Sequence, residues 1–473
     1  MKLSKALLAS TLLMLGASVS AQQLITDLPT VYITTPAGAD KINTEEYILT
    51  NMKIVEPTGQ IIEYADTKVR GRGSAKFALD KKPYKLKLFS KARLLGSGRG
   101  NGKKWNLMAQ HGDKTLLRNA VGSFIATEVG QPFAPGVKFV DLVIDEEYQG
   151  TYQITDQIDI RKYRVNITEQ PETVTSSTNI TGGYLLEIDE SAEDTEGATI
   201  FTTSRGMKVT IKSPDEDVIV ESQVNYIKAH VQKFEDALFA DNWLDKENGY
   251  RKYLDLTSFV QWYITREYTA EPNSFRSVYF YKDINNDKFF FGPVWDFDFA
   301  FDNCDRWGAR PRALVAQEGR GDEWCYLWID RLRQDPEFHT AVNDAWKNLI
   351  ANGIVEKVNN YIDEQAAVIA QSVSKNFELY PINVKVHDER VLFNTYDENI
   401  TFLKETQAAR AEFLTEAFET LANGGTVPET ELNGINEITT PNINNNVIYD
   451  LQGRRLNAPT KGINIINGKL MIK

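Results

Sequence analysis

Apolar and polar positions alternate along much of the first 300 residues, and a period of two predicts β-strands. The clearest case is Tyr84–Leu88, in which apolar side chains take one face and Lys85 and Lys87 take the other. Helical periodicity begins near residue 222 and returns at 256–267, and beyond residue 325 the pattern is mostly helical. Further strands are predicted at 137–144, 150–155, 182–189, 207–212, 277–283 and 288–291.

The segment 289–301 carries the most informative pattern. An apolar run, a Gly-Pro break and a tryptophan precede Asp296 and Asp298. In an extended segment, residues two apart share a face, so both carboxylates are expected on one side while Phe297 and Phe299 face the core. Like charges held close raise each other's pKa unless a cation neutralises them. The pattern fits a divalent metal or a charged reaction centre, and equally a strand that ends in two solvated aspartates.

Basic residues precede and follow a glycine-rich turn at 70–74. Glycine lets the backbone approach a ligand, and Arg70 and Arg72 have the bidentate geometry that grips phosphate or carboxylate. A strand that presents Lys85 and Lys87 follows, and several phosphotransfer folds hold a nucleotide in this way. The simpler alternative is an ordinary turn and a half-exposed strand with solvated lysines.

A helix is expected after Asp113, a good N-cap residue, with an apolar face that runs from Leu116 to Ile125. Arg118 lies between the apolar positions of this helix. It is expected either on the helix surface or reaching into a cleft.

The two ends of the chain differ from its middle. Residues 1–21 have a positive start, a short apolar run and a small-residue cleavage pattern, which predicts a signal peptide and an exported chain. No later stretch is long and apolar enough to span a membrane. Residues 22–425 form the expected main domain, 426–446 read as a linker, and 447–473 alternate like a small β module.

Charge and composition exclude some classes of function. The formal net charge is −12, which argues against a nucleic-acid partner because phosphate binding needs clustered lysine and arginine. With two cysteines and four histidines at unsuitable spacing, a zinc site is not expected. In an exported chain Cys304 and Cys325 are expected to pair.

Taken in order, these stretches resemble the CotH kinase family, the spore-coat-protein-H-like secreted kinases, over roughly residues 30–420. The C-terminal module resembles, more loosely, the sorting tails of secreted Bacteroidetes proteins. The pieces that carry the first resemblance are 70–74, 82–87, Asp113 with 117–119, 148–152, 183–187 and 292–298.

The resemblance implies an atypical protein-kinase-like α+β fold, with a β-rich N-terminal part, a helical C-terminal part and the small β tail. It implies ATP and Mg²⁺ or Mn²⁺, and transfer of the γ-phosphoryl group to Ser or Thr of secreted or surface proteins. Asp296 would bind the metal with help from Asp298, and the tail would engage export machinery. The residues expected around the nucleotide are Arg70, Arg72, Lys85, Lys87, Arg118 and Glu187.

One departure from the family pattern concerns the catalytic acid. Where many members carry an Asn-Pro-Asp-like stretch, this chain reads Glu271, Pro272, Asn273. An amide cannot accept a hydroxyl proton as a carboxylate does, so Asn273 is expected to limit catalysis unless Glu271 substitutes. Two alternatives stay open beside an active kinase. One is a weak or inactive nucleotide-binding relative that acts in surface assembly, and the other is a glycan-active enzyme that uses Asp296 and Asp298.

Overall fold

The computed structural model describes residues 24–96, 100–189, 199–304, 312–317 and 323–428, with four short strands further on. The chain separates into two compact units, residues 1–429 and 430–473, and each is considered by itself. The signal peptide expected at 1–21 lies outside the described residues, as does most of the linker expected at 426–446.

Seven strands near the start of the first unit close into a barrel, because their period-two pattern gives each strand one apolar face to turn inward. Tyr84, Leu86 and Leu88 point into the barrel and are buried, as their alternation predicts. The strands are β1 (Thr30–Thr34), β2 (Ile48–Val55), β3 (Ile61–Gly71), β4 (Tyr84–Ala92), β5 (Gly102–Met108), β6 (Val137–Ile144) and β7 (Glu147–Asp156). They follow the order β1-β2-β3-β4-β5-β7-β6, and β1 closes the barrel by pairing parallel to β6.

A second sheet of five strands packs with the helical part. Its strands are β8 (Tyr184–Asp189), β9 (Thr199–Thr202), β10 (Lys208–Ser213), β11 (Ser277–Lys282) and β12 (Phe290–Phe291). They are arranged in the order β12-β11-β8-β10-β9, with antiparallel neighbours. This sheet leads directly into the acidic segment at 296–298.

Helices dominate the first unit after residue 220, and large aromatic side chains such as Trp262, Trp328 and Trp346 are fully buried among them. Helices α4, α6 and α9 in the list below pack against one another. The α-helices are α1 (Ser74–Phe77), α2 (Arg118–Val129), α3 (Glu221–Phe239), α4 (Leu256–Thr269), α5 (Leu327–Leu332), α6 (Pro336–Ala351), α7 (Ile354–Val368), α8 (Ala370–Leu379) and α9 (Tyr396–Ala422). Short 3₁₀ turns occur at Ala39–Lys41, Tyr250–Lys252 and Glu323–Tyr326.

The expected mixed α+β class, β-rich at the N-terminal end and helical towards the C-terminal end, is confirmed. The predicted start of the helix after Asp113 is wrong, because α2 begins only at Arg118. Asp113 instead accepts hydrogen bonds from the backbone amides of Thr115 and Arg118, and so orders the turn that precedes the helix. Within the described ranges, no helix is long and apolar enough to cross a membrane.

The second unit contributes β13 (Ile448–Tyr449), β14 (Arg455–Leu456), β15 (Ile463–Ile466) and β16 (Lys469–Ile472). They form an antiparallel sheet in the order β14-β13-β15-β16. In the first unit, Cys304 and Cys325 both have buried side chains, and their pairing stays a prediction.

Candidate functional site

A cleft of about 690 Å³ opens between the barrel and the five-stranded sheet, a volume that suits a bound small molecule. Barrel strands β4, β5 and β7 line it from one side, and β8, β10 and β11 line it from the other. Its charged lining residues are Arg72, Lys76, Lys85, Asp156, Glu187, Asp189, Lys212 and Asp296.

The acidic segment enters this cleft as a turn and not as the expected extended strand. Asp296 has a φ of 62°, in the left-handed region that non-glycine residues adopt rarely. Both carboxylates nevertheless meet the same partner, and Phe297 and Phe299 are buried, as the sequence predicts. The shared face is therefore produced by a local turn, since regular strand structure ends at Phe291.

The partner of both carboxylates is Lys76, which lies in the short helix α1. Its Nζ donates to Asp296 Oδ1 at 2.8 Å and Oδ2 at 3.0 Å, and to Asp298 Oδ1 at 2.9 Å. The lysine side chain is 26% exposed, Asp296 is 32% exposed and Asp298 is 14% exposed. One ammonium group thus bridges two partly buried acids.

Each member of this trio has a shifted pKa. Burial lowers the pKa of Lys76, but the two carboxylates outweigh burial and leave the pKa above its ordinary value. Burial raises the pKa of Asp298, and the neighbouring Asp296 raises it further. For Asp296, burial opposes ionisation, yet Lys76 and Arg72 outweigh it and hold the pKa below its usual range.

Helix α2 fixes the acidic turn through two adjacent residues at its N-terminal end. Asn119 Oδ1 accepts the backbone N–H of Phe297 at 2.7 Å, and Arg118 Nε donates to the backbone carbonyl of Ala300 at 2.9 Å. The guanidinium of Arg118 also pairs with Asp113 at 2.6 Å, and both side chains are buried. The structure therefore places Arg118 outside the cleft lining, where it positions the turn that carries the acids.

Helix α4 and the residues that follow it hold the same turn from the other side. Arg266 Nη1 donates to the carbonyl of Trp295 at 3.0 Å, and Glu271 Oε2 accepts the N–H of Phe299 at 3.2 Å. The other oxygen of Glu271 accepts the N–H of Asn273 at 3.3 Å. Burial raises the pKa of Glu271 well above its ordinary value, and the charges of the two aspartates raise it further. This carboxyl group is a brace for the turn.

The basic wall of the cleft consists of Arg72, Lys85 and Lys212. Lys85 comes from β4, and burial lowers its pKa from 10.5 to about 7, helped by the positive charges of Arg72, Arg70, Lys212 and Lys104. Lys212 already pairs with Glu187. A half-buried lysine beside other cations is electrostatically costly, and an anion that reaches Lys85 and Arg72 would relieve that cost.

The other predicted cations divide between the inside and the outside of the cleft. Arg72 lines it, with its guanidinium 5.2 Å from the ring centre of Trp295. Arg70 instead lies 4.7 Å from the ring centre of Tyr47 and donates to a backbone carbonyl, and Lys87 is exposed. Neither Arg70 nor Lys87 belongs to the described cleft lining, so Lys85 is the lysine of β4 that faces the cleft.

Glu187 lies in β8, at the sheet side of the cleft. It accepts a hydrogen bond from Ser277 and pairs with Lys212 at 3.2 Å. Burial raises the pKa of this carboxyl group, and Lys212 counteracts the rise. Tyr279 lies directly opposite Glu187 in the β8–β11 register. The group forms a polar end wall.

A second, much smaller pocket of about 30 Å³ lies beyond Lys76. Arg72, Lys76 and Met108 line both cavities, whereas Asp296 lines the cleft and Asp298 lines the small pocket. The small pocket also includes Phe299 and several polar side chains, namely Lys81, Gln110, His111 and His387. The two acids therefore face different compartments across one lysine.

The residues present fit a metal-bound nucleotide. Among the described residues no cluster of three or more His, Cys, Asp or Glu side chains could hold a metal ion, and Asp296 and Asp298 are two carboxylates that meet at one point. Mg²⁺ is commonly held by one or two carboxylates together with substrate phosphates, which matches this donor set. The cleft also has apolar lining from Pro135, Val137 and Ile158, and Gln157 Oε1 is a buried acceptor that lacks a partner among described residues.

Sequence reasoning missed Lys76 and Asn119. Lys76 follows the Arg-Gly turn at 70–74 by two residues, and a lysine in that place is the one signal that the sequence contains. Asn119 follows Arg118 in the matched piece, and its contact with Phe297 spans 178 residues of sequence. Long-range pairings of this kind leave no periodic trace.

Two comparisons with known proteins bear on this arrangement. A family model described as CotH kinase protein matches residues 68–414, which is most of the chain and includes both acids, the basic wall and the helices that hold the acidic turn. A search of curated proteins finds no match.

Proposed function

Because the chain belongs to the CotH kinase protein family, we propose that its cleft binds ATP with Mg²⁺ or Mn²⁺ and that the γ-phosphoryl group passes to a Ser or Thr hydroxyl of a secreted or surface protein. The observation that carries the proposal is the cleft itself, whose lining brings the cations of the basic wall together with the carboxylate of Asp296. Phosphoryl transfer depends chiefly on positioning and charge neutralisation. Cations that bind phosphate and a carboxylate that binds a metal ion contribute to both.

Each side chain has a distinct part in this proposal. Asp296 faces the cleft and would hold the divalent ion, with Asp298 as the second acid. Lys85, Arg72 and Lys212 line the same space and would bind phosphate oxygens. The divalent ion, when bound, supplies charge neutralisation to the phosphates.

The acceptor hydroxyl would approach from the small pocket beyond Lys76, which is large enough for a side-chain tip but not for a nucleotide. Asp298 lines this pocket, so the second acid expected to hold the metal borders the side from which the hydroxyl would arrive. Asn273 stands where the family resemblance implies a catalytic acid, and its amide would limit the rate. Both oxygens of Glu271 accept backbone N–H groups, which favours a structural part for that residue.

A second candidate function is nucleotide binding without efficient transfer, in a chain that acts in surface assembly. The observations that favour it are Asn273 at the acid position and Lys76 bound to both carboxylates. The two candidates agree on nucleotide binding and differ only in transfer.

Transfer from radiolabelled ATP tests the proposal. The purified mature chain, given Mg²⁺ or Mn²⁺ and a mixture of exported proteins, should label itself or a substrate, and Lys85→Met should remove most of the labelling. Lys87→Met is the matched control, since it removes a lysine of the same strand outside the cleft. Labelling that is equal in both variants would contradict the assigned cleft, and binding without labelling would favour the second candidate.

We also propose that the chain is exported through residues 1–21 and that the tail at 447–473 engages export machinery. The support is the composition of these segments. If a reporter protein fused to residues 1–21 stays inside the cell, that result would contradict export through this segment.

A further inference from the structure

The position between Asp296 and Asp298 is filled by the chain's own cation. Lys76 Nζ lies 2.8 Å and 3.0 Å from the two oxygens of Asp296 and 2.9 Å from Asp298 Oδ1. Two carboxylates that close together need a positive charge between them, and this ammonium supplies it without any metal. The two acids expected to hold the metal thus already share one cation of the protein itself.

A divalent ion and this ammonium group compete for the same oxygens. Mg²⁺ takes its oxygen ligands at about 2.0–2.1 Å and demands near-ideal octahedral geometry. An ammonium that donates to three of the same oxygens occupies the space in which that coordination would form. Two cations this close would also repel each other strongly in a partly buried site. A metal can therefore bind Asp296 and Asp298 only after Lys76 has moved.

The surroundings of Lys76 allow its side chain to leave the two carboxylates and to return to them. It lies in the four-residue helix α1, after Gly73, whose φ of 66° marks a sharp turn. Its side chain borders both the large cleft and the small pocket. Nucleotide phosphates in the cleft would offer the displaced ammonium a new anionic partner, whereas a metal ion alone would offer it none.

We propose that Lys76 is a resident counter-ion that blocks the metal position in the nucleotide-free chain and yields it only when metal and polyphosphate arrive together. This inference rests on the proposed function, because it takes Asp296 and Asp298 as the metal ligands. It gives the site an order of loading, in which metal alone binds weakly and the metal–nucleotide complex binds well. Such an order would keep the carboxylates from capturing divalent ions in the absence of nucleotide.

Mn²⁺ binding to the nucleotide-free protein tests the proposal by the electron paramagnetic resonance signal of free Mn²⁺. Lys76→Met should bind Mn²⁺ at least tenfold more tightly than the unmodified chain, since it exposes both carboxylates. Lys76→Arg should behave like the unmodified chain, because it keeps the cation. Lys138→Met is the matched control, for it removes a lysine of the same 26% side-chain exposure that pairs with Glu56 and lies outside both cavities, and it should change Mn²⁺ affinity less than threefold.

Thermal melting distinguishes a change in metal binding from a folding defect in the variant. Lys76→Met should melt lower than the unmodified chain without metal and should recover on addition of Mn²⁺, whereas the unmodified chain should respond little to Mn²⁺ alone. If Lys76→Met and the unmodified chain bind Mn²⁺ with equal affinity, Lys76 does not act as a counter-ion that blocks the metal. If Mn²⁺–ATP still binds through Asp296 in that case, the proposed function is unaffected. Absence of Mn²⁺ binding in every variant, with and without ATP, would overturn both.

Discussion

The charge of Lys85 depends on what the cleft contains. Burial and four neighbouring cations lower its pKa to about 7, so in the empty cleft it is largely neutral above that pH. A bound polyphosphate favours the charged form and would raise the pKa again. The protonation of one lysine therefore links ligand binding to pH.

This linkage has a definite sign. Below pH 7 Lys85 is already charged, and binding takes up little proton at this group. Above pH 7 binding must protonate it, so ATP affinity should fall as pH rises, by up to about tenfold per pH unit. Calorimetry at pH 6 and pH 8, in buffers of different ionisation enthalpy, should show proton uptake at pH 8 that Lys85→Met lacks. Equal uptake at pH 8 in both proteins would contradict this assignment.

Asn273 and Asp298 are predicted to affect the chemical step in opposite directions. Asn273→Asp should raise the transfer rate by up to about 10²–10⁴-fold, the usual worth of general-base assistance, and Asp298→Asn should lower it because it removes one of the two acids expected to hold the metal. Steady-state kinetics should show both changes in kcat, with ATP binding measured separately for each variant. An unchanged kcat in Asn273→Asp, beside a parent chain that transfers phosphoryl groups, would contradict the role assigned to Asn273.

At the scale of elements, the acidic turn is held by hydrogen bonds from helix α2, from helix α4 and from the residues that follow α4. Arg118, Asn119, Arg266 and Glu271 each bind its backbone, and the pairing of Arg118 with Asp113 is buried. A turn that holds an aspartate at a positive φ needs such fixed partners, because the free backbone disfavours that conformation. The helices thus hold the two acids in place.

Removal of one of these hydrogen-bond partners should lower the free energy of unfolding. Arg118→Met leaves the buried carboxylate of Asp113 without its cation and with only its hydrogen bonds from Thr115 and the Arg118 backbone, so the free energy of unfolding should fall by about 3 kcal/mol. Denaturant titration measures this. The double variant Asp113→Asn with Arg118→Met should lose less stability than the single variant, because no charge is then stranded. A single variant within about 0.5 kcal/mol of the unmodified chain would show that the pair is not a support.

The element scale also shows what a sequence can and cannot predict. The alternation of Tyr84–Leu88 places Lys85 correctly opposite the apolar face, because period two is a local property. The shared face of Asp296 and Asp298 was predicted for an extended strand, yet it arises in a turn held by distant residues. Lys76 lies 220 residues from Asp296 in the sequence, and the pattern of residues around either position does not predict their contact.

At the scale of the whole molecule, the chain divides at residue 429 into a large unit that contains the whole candidate site and a small unit of four described strands. The order of strands followed by helices was readable from periodicity. Closure of seven strands into a barrel was not, because pairing of β1 with β6 joins segments about 110 residues apart. A protein-kinase-like topology remains a proposal.

The small unit should be dispensable for the fold of the large one. Deletion of residues 430–473 should leave the main thermal transition within about 2 °C of the full chain, since the core residues of the large unit all precede the deletion. Differential scanning calorimetry measures the transition, and export from the native host reports on sorting. A large fall in the transition temperature would mean that the tail supports the main unit.

The central claim is that Asp296 anchors a metal-bound nucleotide in the cleft, and calorimetric titration with Mg²⁺–ATP tests it most directly. Asp296→Ala removes the acid that lines the cleft, and Asp363→Ala, which removes an exposed aspartate paired with Lys404 on the helical part, is the control. The account predicts that the unmodified chain and the control bind alike and that Asp296→Ala binds at least tenfold more weakly. Equal binding by all three proteins would contradict it.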